Sequence, residues 1–378
     1  MILHIAYDEK VINRCIENFE EVFPHNNKFL IICKNDNPQH VIHPLATHTK
    51  YNKPDFWAEV GDINQYSAVV IHYLGLESAD FVNKINHRNI YWIEWGGDLY
   101  NHLLYARGFE LYSDNKIKWR YNNKILHYIF PFRIYNLLSK RNNRRICRNV
   151  ISAIYKMKYF VPDSMYDEYE LILKYYPEFC HLEYKDFFYY PIDEVISKDI
   201  INSRCHGNNI IIGNSASLSA NHLAVFESLS KTEIGEKKII VPLSYGNMEY
   251  ANSVDNIGRI IFGGNFCAIR HFMSLSDYNK LLLSAEIFIY GNWRQEAVGN
   301  ILTALYLGGK VVLFEKNPLF KFYKRMGIKI YGMSQLTTKF LDERIDKRDV
   351  ENNRTILQRM YSKERLHELI RTGFKNEF

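Results

Sequence analysis

The sequence predicts an α/β fold made of two domains, each with a parallel β-sheet. Short apolar segments typical of buried strands alternate with amphipathic segments of helical period, and this alternation occurs in both halves of the chain. With 378 residues, the chain is longer than one ordinary hydrophobic core requires. Its 47% hydrophobic content is sufficient for two cores and excludes a disordered protein.

The first domain is predicted over residues 1–196, followed by a polar linker at 197–209. Its candidate strands are residues 3–7, 29–33, 68–72, 89–93 and 159–162, with a further strand-like segment at 187–191. Its candidate helices are residues 11–22, 79–85 and 165–175, the last ending before Pro177.

The second domain is predicted over residues 210–350, with a charged helical tail at 351–378. Its candidate strands are residues 210–212, 238–241, 259–262, 287–290, 310–314 and 328–331. We expect the last helix, at about 363–372, to pack on the first domain. Ligands of open parallel sheets bind outside the carboxyl ends of the strands, so we expect a central cleft lined by the strand-end loops of both domains.

Several classes of protein are excluded by what the sequence lacks. The six cysteines are scattered and form no C-x-x-C pair, which argues against a disulfide framework or a zinc site. The N-terminus has no signal-peptide pattern, and no apolar run reaches the length of a membrane span. The motifs D-x-D, G-x-x-x-x-G-K-[ST] and G-x-G-x-x-G are absent, so a metal–diphosphate clamp, a P-loop and a dinucleotide site lose support.

The net charge of +6 is concentrated in one segment, residues 115–162, which we assign to the first domain. This segment contains twelve Lys and Arg residues, no acid and many aromatic residues. Such a mixture is typical of a surface that lies on anionic lipid, although nucleic-acid binding or a solvated basic face are alternatives. We prefer the membrane, because the apolar content is high for an arm that only contacts phosphates. The predicted membrane-facing residues are Lys118, Arg120, Lys124, Arg133, Lys140 and Arg141.

Two strand ends in the second domain predict an anion site. The run Ile210–Ile212 leads into Gly213-Asn214-Ser215 and then a helix, which we expect to begin near Leu218 with Ser215 or Ser217 as its cap. A helix N-terminus offers unpaired backbone N–H groups and a positive dipole to a phosphate. An ordinary strand-to-helix connection has the same pattern.

The loop after residues 287–290 adds a cation to this site. It contains Arg294 and Gln295 and reaches a helix start at Gly299-Asn300. An arginine fork fits phosphate oxygens, although Arg294 has an alternative partner in Glu296. Tyr245, at a third strand end, is predicted to stack on a base or bind a phosphate, or else to be an ordinary surface aromatic.

In the first domain, Asp98 and His72 are the candidate catalytic residues. Asp98 follows a strand and two glycines, where a carboxylate can orient or deprotonate a hydroxyl. It can instead form a local turn or cap the next helix. His72 ends a neighbouring strand and is a possible second base, although a single histidine is more often structural.

Asp98 and several residues of the anion site belong to a collinear set of motifs spanning about residues 70 to 320. The set comprises Trp92, Trp95-Gly96-Gly97-Asp98-Leu99-Tyr100, Tyr189-Tyr190-Pro191, Ile212-Gly213-Asn214-Ser215, Asn221-His222, Pro242, Tyr245, Glu249-Tyr250, Arg294-Gln295, Gly299 and Asn317-Pro318. In these motifs the sequence resembles the bacterial 4-acetamido-4,6-dideoxygalactose (Fuc4NAc) transferase family.

The resemblance implies a GT-B glycosyltransferase with two Rossmann-like domains. Such an enzyme moves a deoxyamino sugar from a dTDP-sugar, its co-substrate, to an undecaprenyl-diphosphate-linked oligosaccharide of enterobacterial common antigen or O-antigen. It works without a metal or other cofactor, as a peripheral protein at the cytoplasmic face of the bacterial inner membrane. By position, Asp98 and His72 lie on the acceptor side, where Glu94 replaces an expected apolar residue.

The residues that the resemblance assigns to the nucleotide diphosphate are Asn214, Ser215, Tyr245, Arg294, Gln295, Gly299 and Asn300. Three other functions remain open at this point: a GT-B transferase with a different nucleotide sugar, a catalytically silent membrane-associated scaffold, and a protein that binds nucleic acid through the basic segment.

Overall fold

The computed structural model describes residues 1–35, 37–121, 131–163 and 165–374, which divide into two units. Unit 1 comprises Met1–Phe109, Lys140–Pro191 and Tyr361–Phe378, and unit 2 comprises Glu110–Ser139 and Ile192–Met360. The chain therefore passes between the units four times. The predicted domains, in contrast, were each one continuous stretch of sequence. The basic segment is shared between the units: its part up to Ser139 belongs to unit 2.

Unit 1 is built on a parallel sheet that has seven strands within the described residues, in the order β3-β2-β1-β4-β5-β6-β7. The strands are β1 Ile2–Tyr7, β2 Asn27–Ile32, β3 Ala46–Thr49, β4 Ala68–His72, β5 Ile90–Ile93, β6 Tyr159–Val161 and β7 Glu183–Tyr184. The central strands read as continuous apolar runs because helices cover both faces of a parallel sheet. The segment 187–191 forms no strand, and Phe187 makes only an isolated bridge with Asp163.

The helices of unit 1 pack apolar stripes against this sheet. They are Val11–Val22, Pro54–Val60, Leu76–Lys84, a π-helix at Leu99–Leu104, Tyr166–Tyr175 and Lys363–Phe374; the helix Phe132–Ile154 begins in residues of unit 2 and ends in unit 1. In the first helix Ile12, Cys15, Ile16 and Phe19 recur at helical spacing and are buried. The Phe374 ring lies 5.2 Å from the Phe19 ring of the first helix and 4.5 Å from the Tyr91 ring of β5, so the last helix packs on unit 1, as predicted.

Unit 2 repeats the architecture with a parallel sheet of six strands in its described part, in the order β10-β9-β8-β11-β12-β13. The strands are β8 Asn209–Ile212, β9 Ile239–Pro242, β10 Phe266–Ile269, β11 Ala285–Tyr290, β12 Lys310–Leu313 and β13 Tyr331–Gly332. Both sheets thus reverse the direction of strand addition once, between β1 and β4 and between β8 and β11. This is the doubly wound arrangement of nucleotide-binding folds, and it confirms the predicted α/β class.

The helices of unit 2 correct two predictions. They are Ile117–Tyr121, Ile192–Val195, His222–Leu229, Met248–Phe262, Leu275–Leu283, Val298–Tyr306, Pro318–Arg325, Thr338–Asp342 and Lys347–Met360. The predicted strand 259–262 is the last turn of a helix that Asn247 caps by accepting a hydrogen bond from the Tyr250 N–H at 2.9 Å. At the predicted start, Leu218–Ala220 forms a short 3₁₀ helix that Ser217 precedes without a side-chain cap. The α-helix begins at His222, after Asn221 in a left-handed conformation with φ of 48°, so neither Ser215 nor Ser217 caps it.

Candidate functional site

Two strand-end loops meet at the point where the unit 2 sheet reverses. Strands β8 and β11 are parallel neighbours, with Ile212 opposite Ile289. The Gly213 N–H donates to the Ile289 carbonyl at 2.8 Å. The loops that follow these strands therefore leave the same edge of the sheet side by side, which is where ligands of such sheets bind. One loop carries Asn214 and the other carries Arg294, as predicted.

The loop after β8 contains a glycine turn and is hydrogen-bonded to the loop after β9. Gly213 has φ of +68°, and a Cβ there would lie 2.8 Å from Nε2 of His222, so both backbone conformation and space favour glycine. The Asn214 amide donates to the Tyr245 hydroxyl at 3.2 Å. The Ala216 N–H donates to the Tyr245 carbonyl at 2.8 Å. The structure thus brings Asn214, the buried Ser215 and Tyr245 together.

Arg294 is buried in the loop after β11, with 9% of its surface exposed. Its Nη1 donates to the Gln295 carbonyl at 2.9 Å, and its Nη2 lies 3.1 Å from Oε2 of Glu296. The pairing with Glu296 that the sequence left as an alternative is therefore present. The guanidinium Nε has no hydrogen-bond partner among the described residues. The contacts to Gln295 and Glu296 therefore hold the group in place, and its Nε–H is still available to donate to a ligand.

The loop after β11 ends in a helix N-terminus. Gly299 and Asn300 occupy the first turn of Val298–Tyr306, where backbone N–H groups lack intrahelical acceptors. The Asn300 side-chain oxygen accepts a hydrogen bond from the Tyr278 hydroxyl at 2.5 Å. Burial raises the pKa of Tyr278 to about 12, so this hydroxyl keeps its proton at neutral pH. Unpaired donors and an arginine therefore occur within one short loop.

Two buried asparagines, for which no role was predicted, fix this loop. Asn221 donates from its amide to the Gly291 carbonyl at 2.9 Å. Asn317 donates to the carbonyls of Asn292 and Arg294, each at 3.0 Å. Both asparagines belong to the quoted motifs, but their contacts join distant parts of the chain and have no local sequence signal.

His222 lies beneath the glycine turn as a neutral donor. Burial lowers its pKa to about 4. The Tyr250 hydroxyl oxygen accepts the His222 backbone N–H at 3.2 Å and lies 3.3 Å from Nδ1, so its own proton is available to Nδ1. The imidazole proton then resides on Nε2, which has no partner among the described residues and lies toward Gly213.

In unit 1, the Asp98 carboxylate is buried and tied to the backbone around it. It accepts hydrogen bonds from the Leu74 N–H at 2.8 Å, the Trp92 indole at 2.7 Å and the Trp95 N–H at 2.9 Å. Burial raises its pKa above the ordinary value. The carboxylate joins the ends of β4 and β5 and makes no side-chain cap to the helix that follows, which differs from the predicted structural alternative. The catalytic role of Asp98 stays a prediction.

His72 is also buried and neutral. Its Nδ1 lies 2.8 Å from the Tyr189 hydroxyl and its Nε2 lies 3.1 Å from Nδ1 of His4. Burial lowers the pKa of His72 to about 3. A side chain with both nitrogens engaged inside the protein fits the structural alternative, so its role as a base likewise stays a prediction.

Glu94, the unexpected acid, is fully buried and accepts the Gly96 N–H at 2.5 Å. Burial, followed by the nearby Glu168 and Asp98 carboxylates, raises its pKa well above the ordinary range. A carboxyl that keeps its proton is uncharged, which explains how an acid occupies an apolar position.

A cavity of about 710 Å³ opens at the carboxyl edge of the unit 1 sheet. The ends of β1, β2, β4 and β5 contribute Tyr7, Ile32, Tyr73 and Trp95 to its wall. Tyr73 has φ of 70°, a rare conformation for a bulky residue that is often associated with function. Polar and charged side chains make up most of the rest of the lining: Asp8, Glu9, Lys34, Asn35, Gln39, His40, Glu77 and His102. Aromatic surfaces beside hydrogen-bonding groups suit a polar small molecule.

The predicted membrane-facing residues differ in their surroundings. Lys118 is half-buried, and burial lowers its pKa to about 8, while Arg120 pairs with Asp114 at 2.6 Å. Arg133, Lys140 and Arg141 are exposed on the helix Phe132–Ile154, and Lys124 lies outside the described residues. Across the described ranges, no helix has both the length and the apolar character needed to cross a membrane.

In the part of the chain that the structure describes, no group of three or more His, Cys, Asp and Glu side chains is arranged to hold a metal ion. Whether the reaction needs a metal is a separate question, and the metal-independent mechanism stays a prediction.

Solved glycosyltransferases share this fold over nearly their whole length. HepE from Anabaena, in complex with UDP and glucose, is 11% identical to this chain, with a TM-score of 0.61 and all of both chains covered. A glycosyltransferase from Rickettsia africae is 13% identical, with a TM-score of 0.57, covering 100% of this chain and 97% of that one. Sucrose-phosphate synthase from Thermosynechococcus elongatus is 9% identical, with a TM-score of 0.62 and coverage of 99% and 98%.

At these identities the likeness concerns the fold, and it shows that the two parallel-sheet units form a GT-B fold. The sequence itself matches a family model described as 4-alpha-L-fucosyltransferase, glycosyl transferase group 56, over residues 170–364. That range is more than half of the chain and includes both loops of the unit 2 site. The match confirms the family resemblance, and the chain belongs to the glycosyltransferases of group 56.

Proposed function

We propose that this glycosyltransferase moves a deoxyamino sugar of the Fuc4NAc type from a dTDP-sugar to an undecaprenyl-diphosphate-linked oligosaccharide in bacterial surface polysaccharide biosynthesis. The observation that carries the proposal is the pair of loops that leave the neighbouring strands β8 and β11. One contains a glycine turn, and the other contains a buried arginine and leads into a helix N-terminus. These groups suit a nucleotide diphosphate, the leaving group of the reaction.

In the transfer, the bond between the anomeric carbon and the diphosphate breaks, and an acceptor hydroxyl replaces the diphosphate. Negative charge grows on the leaving group, so donors that are already oriented toward it lower the barrier. Arg294 supplies a positive charge that Gln295 and Glu296 hold in one orientation. Asn214, Ser215, Tyr245, Gln295, Gly299 and Asn300 complete the proposed donor site.

The acceptor is proposed to bind in the unit 1 cavity. Its aromatic wall suits the C–H face of a sugar ring, and its polar groups suit hydroxyls. Asp98 contributes by holding the turn that carries Trp95, through the hydrogen bond from the Trp95 N–H at 2.9 Å. The catalytic base is left unassigned by this arrangement, because Asp98 and His72 both face inward.

Attachment to an anionic membrane is proposed to use one face of the helix Phe132–Ile154. At about 100° per residue, its exposed cations and exposed apolar side chains share an arc of about 160°. They are Arg133, Lys140, Arg141, Arg144, Arg145 and Arg148, with Ile134, Leu137 and Leu138. Cys147, Val150, Ala153 and Ile154 lie on the opposite face and are buried. A face that combines cations with apolar side chains is typical of a helix lying in the membrane interface.

A UDP-sugar is the second candidate donor, because the HepE structures contain UDP or UDP-glucose. Thermal-shift measurements with dTDP, UDP and GDP distinguish these donors, since a ligand that binds only the folded state raises the melting temperature. We expect dTDP to produce the largest shift. A largest shift with UDP would replace the donor in the proposal, and no shift with any nucleotide would favour the silent scaffold.

Arg294→Ala tests the diphosphate site directly. Hydrogen bonds to a charged group contribute about 1.5–3 kcal/mol, so we expect a roughly 10- to 150-fold weaker nucleotide affinity. Arg259→Ala is the matched control, because Arg259 pairs with Asp255 on an exposed helix of the same unit. Nucleotide affinity that is equal in both variants would contradict the assignment of Arg294.

A further inference from the structure

Trp95 connects the wall of the unit 1 cavity to a buried row of hydrogen bonds. Its side chain lines the cavity beside Tyr73, with the two ring centroids 5.6 Å apart. On its other side, the indole Nε1 donates to the Tyr189 hydroxyl at 2.5 Å. The Tyr189 ring is nearly perpendicular to the indole, at 85° and 5.8 Å, so this one residue fixes Trp95 by both packing and hydrogen bonding.

The row continues from Tyr189 through two histidines to an asparagine. His72 Nδ1 lies 2.8 Å from the Tyr189 hydroxyl, and His72 Nε2 lies 3.1 Å from His4 Nδ1. His4 Nε2 lies 3.3 Å from Oδ1 of Asn27. His4 and His72 are completely buried, and Tyr189 is 8% exposed.

Only one placement of protons satisfies the whole row. An indole can only donate, so the Tyr189 oxygen accepts from Trp95 and its proton goes to Nδ1 of His72. At the other end, the Asn27 amide nitrogen donates to the Glu20 carboxylate at 2.7 Å, so its oxygen accepts from His4. Each histidine then carries its proton on Nε2 and is neutral.

The neutral state is the stable one in this environment. An extra proton on His4 would sit on Nδ1 and face the Nε2–H of His72. An extra proton on His72 would sit on Nδ1 and face the hydroxyl proton of Tyr189. Burial also lowers the pKa of both histidines, that of His72 to about 3. At physiological pH the Tyr189 hydroxyl therefore always offers its lone pair to the indole of Trp95, and the orientation of the indole is fixed from inside the sheet.

We propose that Tyr189, with His72 and His4 behind it, is a positioning residue that holds Trp95 as the flat wall on which a sugar ring of the acceptor rests. This inference rests on the proposed function, in which the unit 1 cavity takes the acceptor. It gives the buried residues of β1 and β4 a role in acceptor affinity. The ligand class is a pyranose with an exposed C–H face, which an aromatic surface of fixed orientation favours over a flexible one.

The test compares three variants of the full chain in sugar binding. Tyr189→Phe keeps the ring and removes the acceptor of the indole hydrogen bond, and Trp95→Phe removes the wall. Tyr66→Phe is the control, because the Tyr66 hydroxyl is also buried in unit 1 and donates to the Val60 carbonyl at 2.8 Å, away from the cavity lining. The probes are the methyl pyranosides of glucose, galactose, mannose and N-acetylglucosamine, observed by saturation-transfer NMR and tryptophan fluorescence.

We expect at least one pyranoside to bind the wild type, with affinity reduced about fivefold in Tyr189→Phe and further in Trp95→Phe. Tyr66→Phe should lose a similar amount of stability and no sugar affinity, which separates positioning from a purely structural role. Wild-type affinity in Tyr189→Phe, or an equal loss in the control, would overturn the proposal, as would a wild type that binds none of the probes.

Nucleotide affinity, measured on the same variants, distinguishes a failure of the Trp95 proposal from a failure of the proposed transferase function. The positioning role predicts that Tyr189→Phe leaves nucleotide affinity unchanged. A wild type that binds pyranosides in this way and binds no nucleotide diphosphate would contradict the proposed transferase function while leaving the Trp95 wall intact. Binding of nucleotide without any pyranoside would overturn the role of Trp95 and leave the donor site standing.

Discussion

Replacing Gly213 with alanine tests how closely the turn after β8 is built around its neighbours. The residue has φ of +68°, and the added Cβ would lie 2.8 Å from Nε2 of His222. The left-handed conformation costs an L-residue about 1–2 kcal/mol. Because His222 is fully buried, the steric conflict adds about 1–3 kcal/mol of overpacking. We therefore expect Gly213→Ala to lose about 2–5 kcal/mol of stability.

Gly235→Ala separates the two contributions. Gly235 also has a positive φ, +59°, but among the described residues no atom beyond its chain neighbours lies within 4 Å of the position that a Cβ would occupy. It precedes β9 at the amino edge of the same sheet, away from the proposed donor site. The control Gly235→Ala should lose only the stability that the left-handed backbone conformation costs, about 1–2 kcal/mol.

Urea unfolding of both variants, together with nucleotide titration, provides the measurement. We expect Gly213→Ala to be the less stable variant and to bind nucleotide at least tenfold more weakly, since displacement of the turn moves Asn214. Gly235→Ala should bind like the wild type. Equal stability losses in the two variants, with nucleotide affinity preserved in both, would refute the close approach of Gly213 and His222.

Three further predictions concern charge. Glu296→Ala leaves the buried Arg294 without its carboxylate partner, and we expect a loss of about 3–5 kcal/mol in urea unfolding, reduced when Arg294 is also replaced by alanine. His72 has a folded pKa of about 3 and an unfolded value near 6.5, so the unfolded state binds the extra proton in this range. Its stabilising contribution is complete above pH 6.5 and is lost toward pH 3, so the stability deficit of His72→Gln should shrink by about 1.4 kcal/mol per pH unit there. The double variant Lys140→Glu and Arg141→Glu should reduce flotation with anionic liposomes and leave nucleotide affinity unchanged; undiminished flotation would contradict the membrane face.

The sheets could be predicted from sequence because their central strands are buried on both faces. Runs such as Ile210–Ile212 are apolar without interruption, which only a covered parallel sheet or a buried helix explains. The edge strand β3, Ala46–Thr49, escaped prediction because its residues are mostly polar and no more than partly buried. The segment 259–262 was misassigned because a short apolar run fits the end of an amphipathic helix equally well.

The strand-end loops were predictable because parallel strands place their carboxyl ends along one edge. The two asparagines that hold the loop after β11 could not be predicted in this way, because Asn221 and Asn317 donate hydrogen bonds to backbone carbonyls that are distant in sequence. The same limit applies to Asp98 and His72. Their position after strands indicated a cleft, whereas their hydrogen bonds to Trp92, Tyr189 and His4 depend on the tertiary fold and could not be read from the sequence.

The proposed function depends most on the binding of a nucleotide diphosphate by the loops after β8 and β11. Isothermal titration of dTDP and of UDP into the wild type and Arg294→Ala measures this directly. We predict saturable binding of at least one of the two nucleotides to the wild type, and a roughly 10- to 150-fold weaker affinity in Arg294→Ala. The absence of binding by the wild type, or an affinity that Arg294→Ala leaves unchanged, would contradict the claim.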